Sequence, residues 1–152
     1  MKDYELLIIG DGPERKQMED LCGGHPDQYA IRFCGVMPRN DVLKELRGSR
    51  LLVVPSICYE GFPMTIVEAF ASGAPVLSAK LGGMVSIIDE NDTGLFFEPG
   101  DSEMLSSGIQ WAIAHELEME AMGRRARACY EEKYAEDLNS RQLLELYNRL
   151  LD

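Results

Sequence analysis

The sequence predicts an α/β fold, a Rossmann-like doubly wound parallel sheet followed by C-terminal helices. Three observations predict it. Short apolar runs closed by glycine or proline alternate with segments of helical character. Those runs are near-continuous in apolar residues, as strands covered on both faces require. From Ser102 onward the pattern is helical to the end.

Taken in order, Glu5 to Ile9 is a strand ended by Gly10-Asp11-Gly12-Pro13. A helix starts near Pro13, a residue suited to the first helical position, and ends at Gly23-Gly24. Ala30 to Cys34 is a second strand, stopped by Gly35. Asp41 to Arg47 is a short helix with Asn40 or Asp41 as its cap. Leu51 to Val54 is a third strand, broken by Pro55. Pro63 opens a helix that ends near Ser72-Gly73, and Pro75 to Ala79 is a fourth strand. Gly82-Gly83 leads into a short helix, Met84 to Ile88. Asn91-Asp92-Thr93-Gly94 is a turn before a fifth strand, Leu95 to Phe97. The C-terminal helices break near His115-Glu116 and Tyr134-Ala135. The domain reading is a Rossmann-like unit over 1–134 with a C-terminal helix over 135–152.

Composition narrows the function classes. The 152 residues suffice for one domain with a sizeable core. With 15 Lys+Arg against 26 Asp+Glu the formal charge is −11. Such a chain is repelled by nucleic acid and by anionic membranes, which argues against both as main partners. A small anionic ligand stays open, because backbone dipoles hold phosphate even in an acidic protein. No apolar run has the length of a membrane span, and Met1 to Glu5 does not read as a signal peptide. Cys22, Cys34, Cys58 and Cys129 show no metal-ligand spacing, so reduced thiols in a cytoplasmic protein are expected.

Ligands of doubly wound sheets bind outside the carboxyl ends of the strands. That rule selects the loops Gly10 to Pro13, Gly35 to Pro38, Ser56 to Pro63 and Lys80 to Met84. The third is the richest: Glu60-Gly61-Phe62-Pro63-Met64-Thr65-Ile66-Val67-Glu68-Ala69. Gly61 lets a ligand approach the backbone. The helix beginning near Pro63 offers unpaired N–H groups and a positive dipole end, which suit a pyrophosphate. Glu68 lies about 7 Å further along it, from the helical rise. A nucleotide whose phosphates meet the helix start could thus place its ribose hydroxyls beside the Glu68 carboxylate. Glu60 could accept from hydroxyls of a sugar beyond the pyrophosphate. A glutamate near a helix start is more often merely solvated or dipole-complementing, so the surroundings must carry the assignment. They place Ile66, Val67, Phe70 and Ala71 on a buried face and Thr65, Glu68 and Ser72 on another.

The stretch from Glu60 through Glu68 to Val76 resembles the motif of family-four retaining glycosyltransferases, whose GT-B fold sets two Rossmann-like domains around an active site. Gly10-Asp11-Gly12-Pro13, Phe33-Cys34-Gly35-Val36, Val54-Pro55-Ser56, Gly82-Gly83 and Thr93-Gly94 fall in the family's order and spacing, over nearly the whole chain. The resemblance is to the C-terminal, nucleotide-sugar-binding domain. It implies that Glu60 contacts the transferred sugar as the catalytic-side residue and that Glu68 binds the ribose. Backbone groups of Gly61, Phe62, Pro63, Met64 and Thr65 would hold diphosphate and sugar. Gly10 and Gly12 would line the phosphate side, and Val36 and Met37 would lie near the base. It further implies no metal and no cofactor, the nucleotide diphosphate sugar being a substrate.

Departures from the family pattern shape the expectation. Relatives open this domain with one more strand and helix, carrying an Arg and a Lys that neutralise the diphosphate. Without that strand, the strands from Glu5 and Leu51 lose a shared neighbour. The N-terminal acceptor domain would be supplied in cis or in trans, and the chain alone is expected to be inactive, a fragment of an enzyme that is at most peripheral at a membrane. Ser86 stands where relatives often carry Glu. The alternative is a non-catalytic nucleotide-sugar-binding or scaffold module. A dinucleotide-dependent dehydrogenase is disfavoured because Gly10-Asp11-Gly12-Pro13-Glu14-Arg15 has no third glycine.

Smaller candidates read as structural. His25 and His115 are taken as surface residues, and Lys80 and Arg39 as solvated cations. Arg124, Arg125 and Arg127, among Glu131 and Glu132, form a solvated helix face. Trp111 with Ile109, Ile113 and Leu117 is read as core. The last helix gathers Leu143, Leu144, Leu146, Tyr147 and Leu150 on one side. That side would be exposed and prone to self-association without the domain it faces in relatives.

Overall fold

The computed structural model describes residues 4–23 and 30–151. His25 lies outside the described residues. Contacts divide the chain into two compact units, Met1–Val42 and Leu43–Asp152.

In the first unit, β1 (Glu5–Ile9) and β2 (Ala30–Gly35) pair in parallel, in register from Glu5 opposite Ala30 to Ile8 opposite Phe33. The register then slips, and Ile9 faces Gly35. The slip coincides with two glycines at positive φ, Gly10 at 125° and Gly35 at 66°. Gly10 donates its N–H to the Gly35 carbonyl at 2.8 Å, so both strands end together. Between them runs α1 (Arg15–Gly23), which begins two residues after Pro13. A further helix, α2 (Arg39–Gly48), has residues in both units and starts before the expected Asp41. Neither Asn40 nor Asp41 is its cap: the Pro38 carbonyl accepts from the N–H groups of Asp41 and Val42. The chain can turn into helix there because a proline at the entry loses no needed donor.

The second unit holds β3 (Leu52–Val54), β4 (Val76–Ala79) and β5 (Gly94–Phe97), all parallel in the order β3-β4-β5. Every residue of β4 is buried, whereas those of β3 are only half-buried. The cause is position: β4 has a ladder on each side and β3 on one. The single sheet expected from the sequence is therefore observed as two, of two and three strands, with no ladder joining β1 to β3 among the described residues. Pairing throughout is parallel, as expected for α/β connections.

Helices follow or interleave with these strands. The first is α3 (Met64–Ser72), followed by the short α4 (Met84–Ile87) and by α5 (Ser102–Ala114), α6 (Glu116–Lys133) and α7 (Glu136–Leu151). Of these, α5 packs directly on β4 and β5. Asp101 caps α5 by accepting from the Met104 N–H at 2.8 Å. Gly108 brings α5 close to Leu77, which joins Ala79 and Phe97 in one core cluster. Ile109 packs on that cluster. Its expected partners in the core do not: Trp111 is 37% exposed and Leu117 75%, with Ile113 also exposed. Ala112, Met119 and Met122 form the buried cluster of α5 and α6 instead, because the buried face of α5 is centred on Ala112, about 100° round the helix from Trp111. Trp111 stacks on the His115 ring, centroids 4.3 Å apart, and its carbonyl lies 2.8 Å from His115 Nδ1. His115 is thus a half-buried hinge residue rather than a plain surface one.

Arg125 and Arg127 are also more than a solvated face. Arg125 pairs with Asp92 at 2.7 Å and donates to the Asp92 carbonyl. Arg127 pairs with Glu131 and donates to the Ala71 carbonyl at the end of α3. Cys129, on the same helix, is buried, and desolvation pushes its thiol above the ordinary range. All four cysteines are free.

Candidate functional site

The second unit assembles Glu60, Gly61, Phe62, Pro63, Met64, Thr65 and Glu68 on one loop and the helix it feeds. Pro63 occupies the N-cap position of α3 in an extended conformation, φ −71° and ψ 99°, and makes no side-chain cap. The Ile66 N–H bonds back to the Pro63 carbonyl. The N–H groups of Met64 and Thr65, ahead of Ile66 in the first turn, lie at the positive end of the helix dipole, where an external acceptor can be received. Phe62, Met64 and Thr65 are exposed around this opening, while Pro63 is buried beneath it. The helix is fixed from its other side by Ile66, Val67, Ala69 and Phe70. Ala69 replaces the expected Ala71 on the buried face; Ala71 sits at the edge, where its carbonyl meets Arg127. Glu68 is half-buried, one turn in from the start of the helix, and Glu60 is exposed before it.

A neighbouring loop holds the Glu60 segment in place. Gly83 donates its N–H to the Glu60 carbonyl at 2.7 Å. The backbones approach so closely that a Cβ on Gly83 would stand 2.2 Å from the Gly61 carbonyl oxygen. Gly82, at φ +55°, would bring a Cβ to 3.0 Å from the Glu60 oxygen. The sequence shows Gly82-Gly83 leading into a short helix but not this contact. Ser86, in place of the family's glutamate, donates to the Gly83 carbonyl at 2.7 Å and so braces the same turn. Phe62 meets Tyr134 edge-on, with ring centroids 5.9 Å apart. Lys80 is paired with Glu90 at 3.1 Å and lies over the Phe96 ring, so it is engaged rather than simply solvated.

The other predicted residues belong to the first unit. Gly10 and Gly12 line an open depression of about 300 Å³, together with Ile8, Pro13, Met18 and Phe33. A side chain at either glycine would meet open space. The Gly12 N–H is taken up by the Asp11 carboxylate at 2.8 Å. Arg15 lines this depression too, and the sequence reading passed over it. Its hydrogen bond to Glu19 holds its pKa above the ordinary value, and Asp11 adds to that. Val36 is exposed and Met37 half-buried after β2. Among the described residues no cluster of three His, Cys, Asp or Glu is placed to hold a metal ion, and no helix is long and apolar enough to cross a membrane.

The chain resembles known proteins across this whole arrangement. The N-acetyl-alpha-D-glucosaminyl L-malate synthase of Bacillus anthracis is 31% identical over 152 residues, covering 99% of this chain and 39% of that protein. A glycosyltransferase structure from Rickettsia africae superposes with a TM-score of 0.87 at 25% identity, over 99% of this chain and 41% of the other. The Anabaena protein HepE, solved in complex with UDP, gives a TM-score of 0.86 at 22% identity, over 96% and 41%. The chain thus spans about two fifths of the length of each of these proteins. Residues 1–128 match the family model described as glycosyl transferases group 1, and the chain belongs to that family, with the α/β architecture of GT-B glycosyltransferase domains.

Proposed function

We propose that this chain is the donor-binding part of a retaining glycosyltransferase, the C-terminal domain of a family-four enzyme. The complete enzyme would transfer a sugar from a nucleotide diphosphate sugar to an acceptor hydroxyl. The α3 N-terminus receives the diphosphate through the backbone of Gly61 to Thr65, Glu68 accepts from the ribose hydroxyls, and Glu60 contacts the sugar. The observation that carries this reading is the start of α3: an uncapped helix end ringed by exposed residues, with a half-buried carboxylate one turn further in. The UDP in the Anabaena structure of the same fold supports a nucleotide donor. The acceptor would be held by a second domain, in cis or in trans, and residues 1–152 alone would bind donor weakly or not at all and would not turn over. No metal or cofactor enters the proposed reaction. The unpartnered apolar side of α7, with Leu144 63% and Leu150 73% exposed, suits docking against that domain or, failing it, self-association.

A thermal-shift panel of nucleoside diphosphates and their sugars tests the donor site. One nucleoside series is expected to stabilise the wild type. Glu68→Ala should bind it about ten- to a hundredfold more weakly, because hydrogen bonds to a charged group contribute about 1.5–3 kcal/mol. Equal stabilisation of both proteins would remove the ribose role of Glu68.

A further inference from the structure

The loop that carries Glu60 has few contacts of its own. Tyr59 is 83% exposed, and Ile57, Cys58, Glu60, Gly61 and Phe62 are all exposed. A loop so open loses conformational freedom only if something outside it supplies the constraint. Two constraints are present, and they come from different elements. On one side is the turn before α4, where the Gly83 N–H bonds the Glu60 carbonyl and where the absence of a Cβ permits the approach. On the other is Tyr134, the residue that ends α6, whose ring meets Phe62 at an interplanar angle of 61°. Such edge-on pairs are among the favoured aromatic geometries.

We propose that Gly83 and Tyr134 are positioning residues that clamp the Glu60–Phe62 segment from opposite ends and so set where Glu60 stands relative to the start of α3. The inference rests on the donor-site reading for its functional meaning, but the clamp itself is a property of the chain without ligand. Its chemistry is divided. Gly83 fixes the Glu60 peptide by a hydrogen bond and by steric closeness, with Ser86 holding the turn from behind. Tyr134 fixes the Phe62 ring through an edge-on contact between the two rings, which a phenylalanine ring can also make. Tyr134 is half-buried, and burial pushes its phenol above the ordinary range, so it stays neutral and cannot repel Glu60 through charge. Phenylalanine should therefore serve at position 134 and alanine should not. At position 83 even one methyl group would force the Glu60–Gly61 backbone to move.

The test uses the full chain, with nuclear magnetic resonance of backbone amides in the absence of ligand and a titration with UDP. In Tyr134→Ala, the amide of Gly83 is expected to exchange about three- to tenfold faster, the effect of losing one aromatic pair. The Gly61 and Phe62 amide resonances should move, and Tyr134→Phe should restore both readouts. In Gly83→Ala, the Glu60 and Gly61 resonances should move. In all three variants the amides of β4 should exchange as in the wild type, which a general loss of stability would not allow. UDP affinity should fall in Tyr134→Ala and Gly83→Ala and persist in Tyr134→Phe. Unchanged Gly61, Phe62 and Gly83 amides in Tyr134→Ala would overturn the proposal, as would equally faster exchange in β4. Failure of the wild type to bind UDP, with the amides behaving as stated, would exclude uridine as the donor's nucleoside and leave the clamp supported.

Discussion

Phe70→Ala should cost the second unit about 3–5 kcal/mol, the range for truncating a buried phenylalanine. Phe70 is fully buried, two residues beyond Glu68 on α3. It shares the buried face with Ile66, also fully buried, and the helix packs against α6. Truncation removes the transfer free energy of the ring and leaves a cavity that two rigid helices close only in part. The measurement is urea unfolding followed by the fluorescence of Trp111, the single tryptophan, which lies in the same unit. The midpoint should fall by about 1 M or more, given usual urea slopes for small domains. Phe70→Leu, which keeps most of the volume, should lose distinctly less. A Phe70→Ala midpoint within error of wild type would mean that α3 is not anchored through this ring, and the rigidity assigned to the start of α3 would go with it.

The second large effect is expected at Gly123, in the middle of α6. A Cβ there would stand 2.3 Å from the Gly73 carbonyl oxygen and 3.3 Å from Pro75 Cδ. Two influences compete. Alanine is better than glycine in a helix by about 1 kcal/mol. Against it stands the displacement of a backbone carbonyl at the C-cap of α3, where Gly73 sits at φ +75° and its N–H closes the helix on Ala69 and Phe70. Overpacking of this kind costs about 1–3 kcal/mol or more, so the clash wins and Gly123→Ala is destabilising. Gly123→Val adds two further carbons and should lose about 3 kcal/mol or more, by the same overpacking argument. Gly108→Ala is the informative contrast. Its Cβ would meet only the Leu77 side chain, at 3.0 Å, and a side chain can turn aside where a carbonyl cannot. Denaturation of the three variants in parallel decides the matter: a Gly123→Ala protein as stable as Gly108→Ala would refute the close α3–α6 contact.

These residues show what the sequence could and could not convey. The strands at Glu5–Ile9 and Val76–Ala79 are legible as apolar runs with glycine or proline at their ends, and the breaks at His115 and Tyr134 are where the helical pattern is interrupted. Local chemistry misled at α2, because Asn40 and Asp41 are good caps by type, while the helix starts at Arg39 and its first hydrogen bonds run to the Pro38 carbonyl, which puts both residues inside it. Periodicity misled at Trp111, since a helical stripe does not reveal that the neighbouring Ala112, and not Trp111, sits at the centre of the buried face of α5. The roles of Arg125, Arg127 and Gly83 were invisible for a different reason: their partners Asp92, Ala71 and Glu60 are distant in sequence, and no local pattern encodes them. The Glu60–Glu68 stretch stands out in the sequence by its residues and spacing. That it is held by Gly83 and Tyr134 emerges only from packing.

The last helix carries a consequence of another kind. None of the sixteen residues of α7 is buried, whereas α6 buries Met119, Met122, Gly123, Ala126 and Cys129. A helix of this length that buries so little against its neighbours is marginal in water, so α7 should open locally far more often than the rest of the unit. Trypsin should accordingly nick the chain first after Arg141 and Arg149, while Arg125 and Arg127, bound to Asp92 and to the Ala71 carbonyl, outlast them. A protein trimmed in this way should keep the core of its second unit, and any polypeptide that seats itself on α7 should be recognisable by the protease sites it hides.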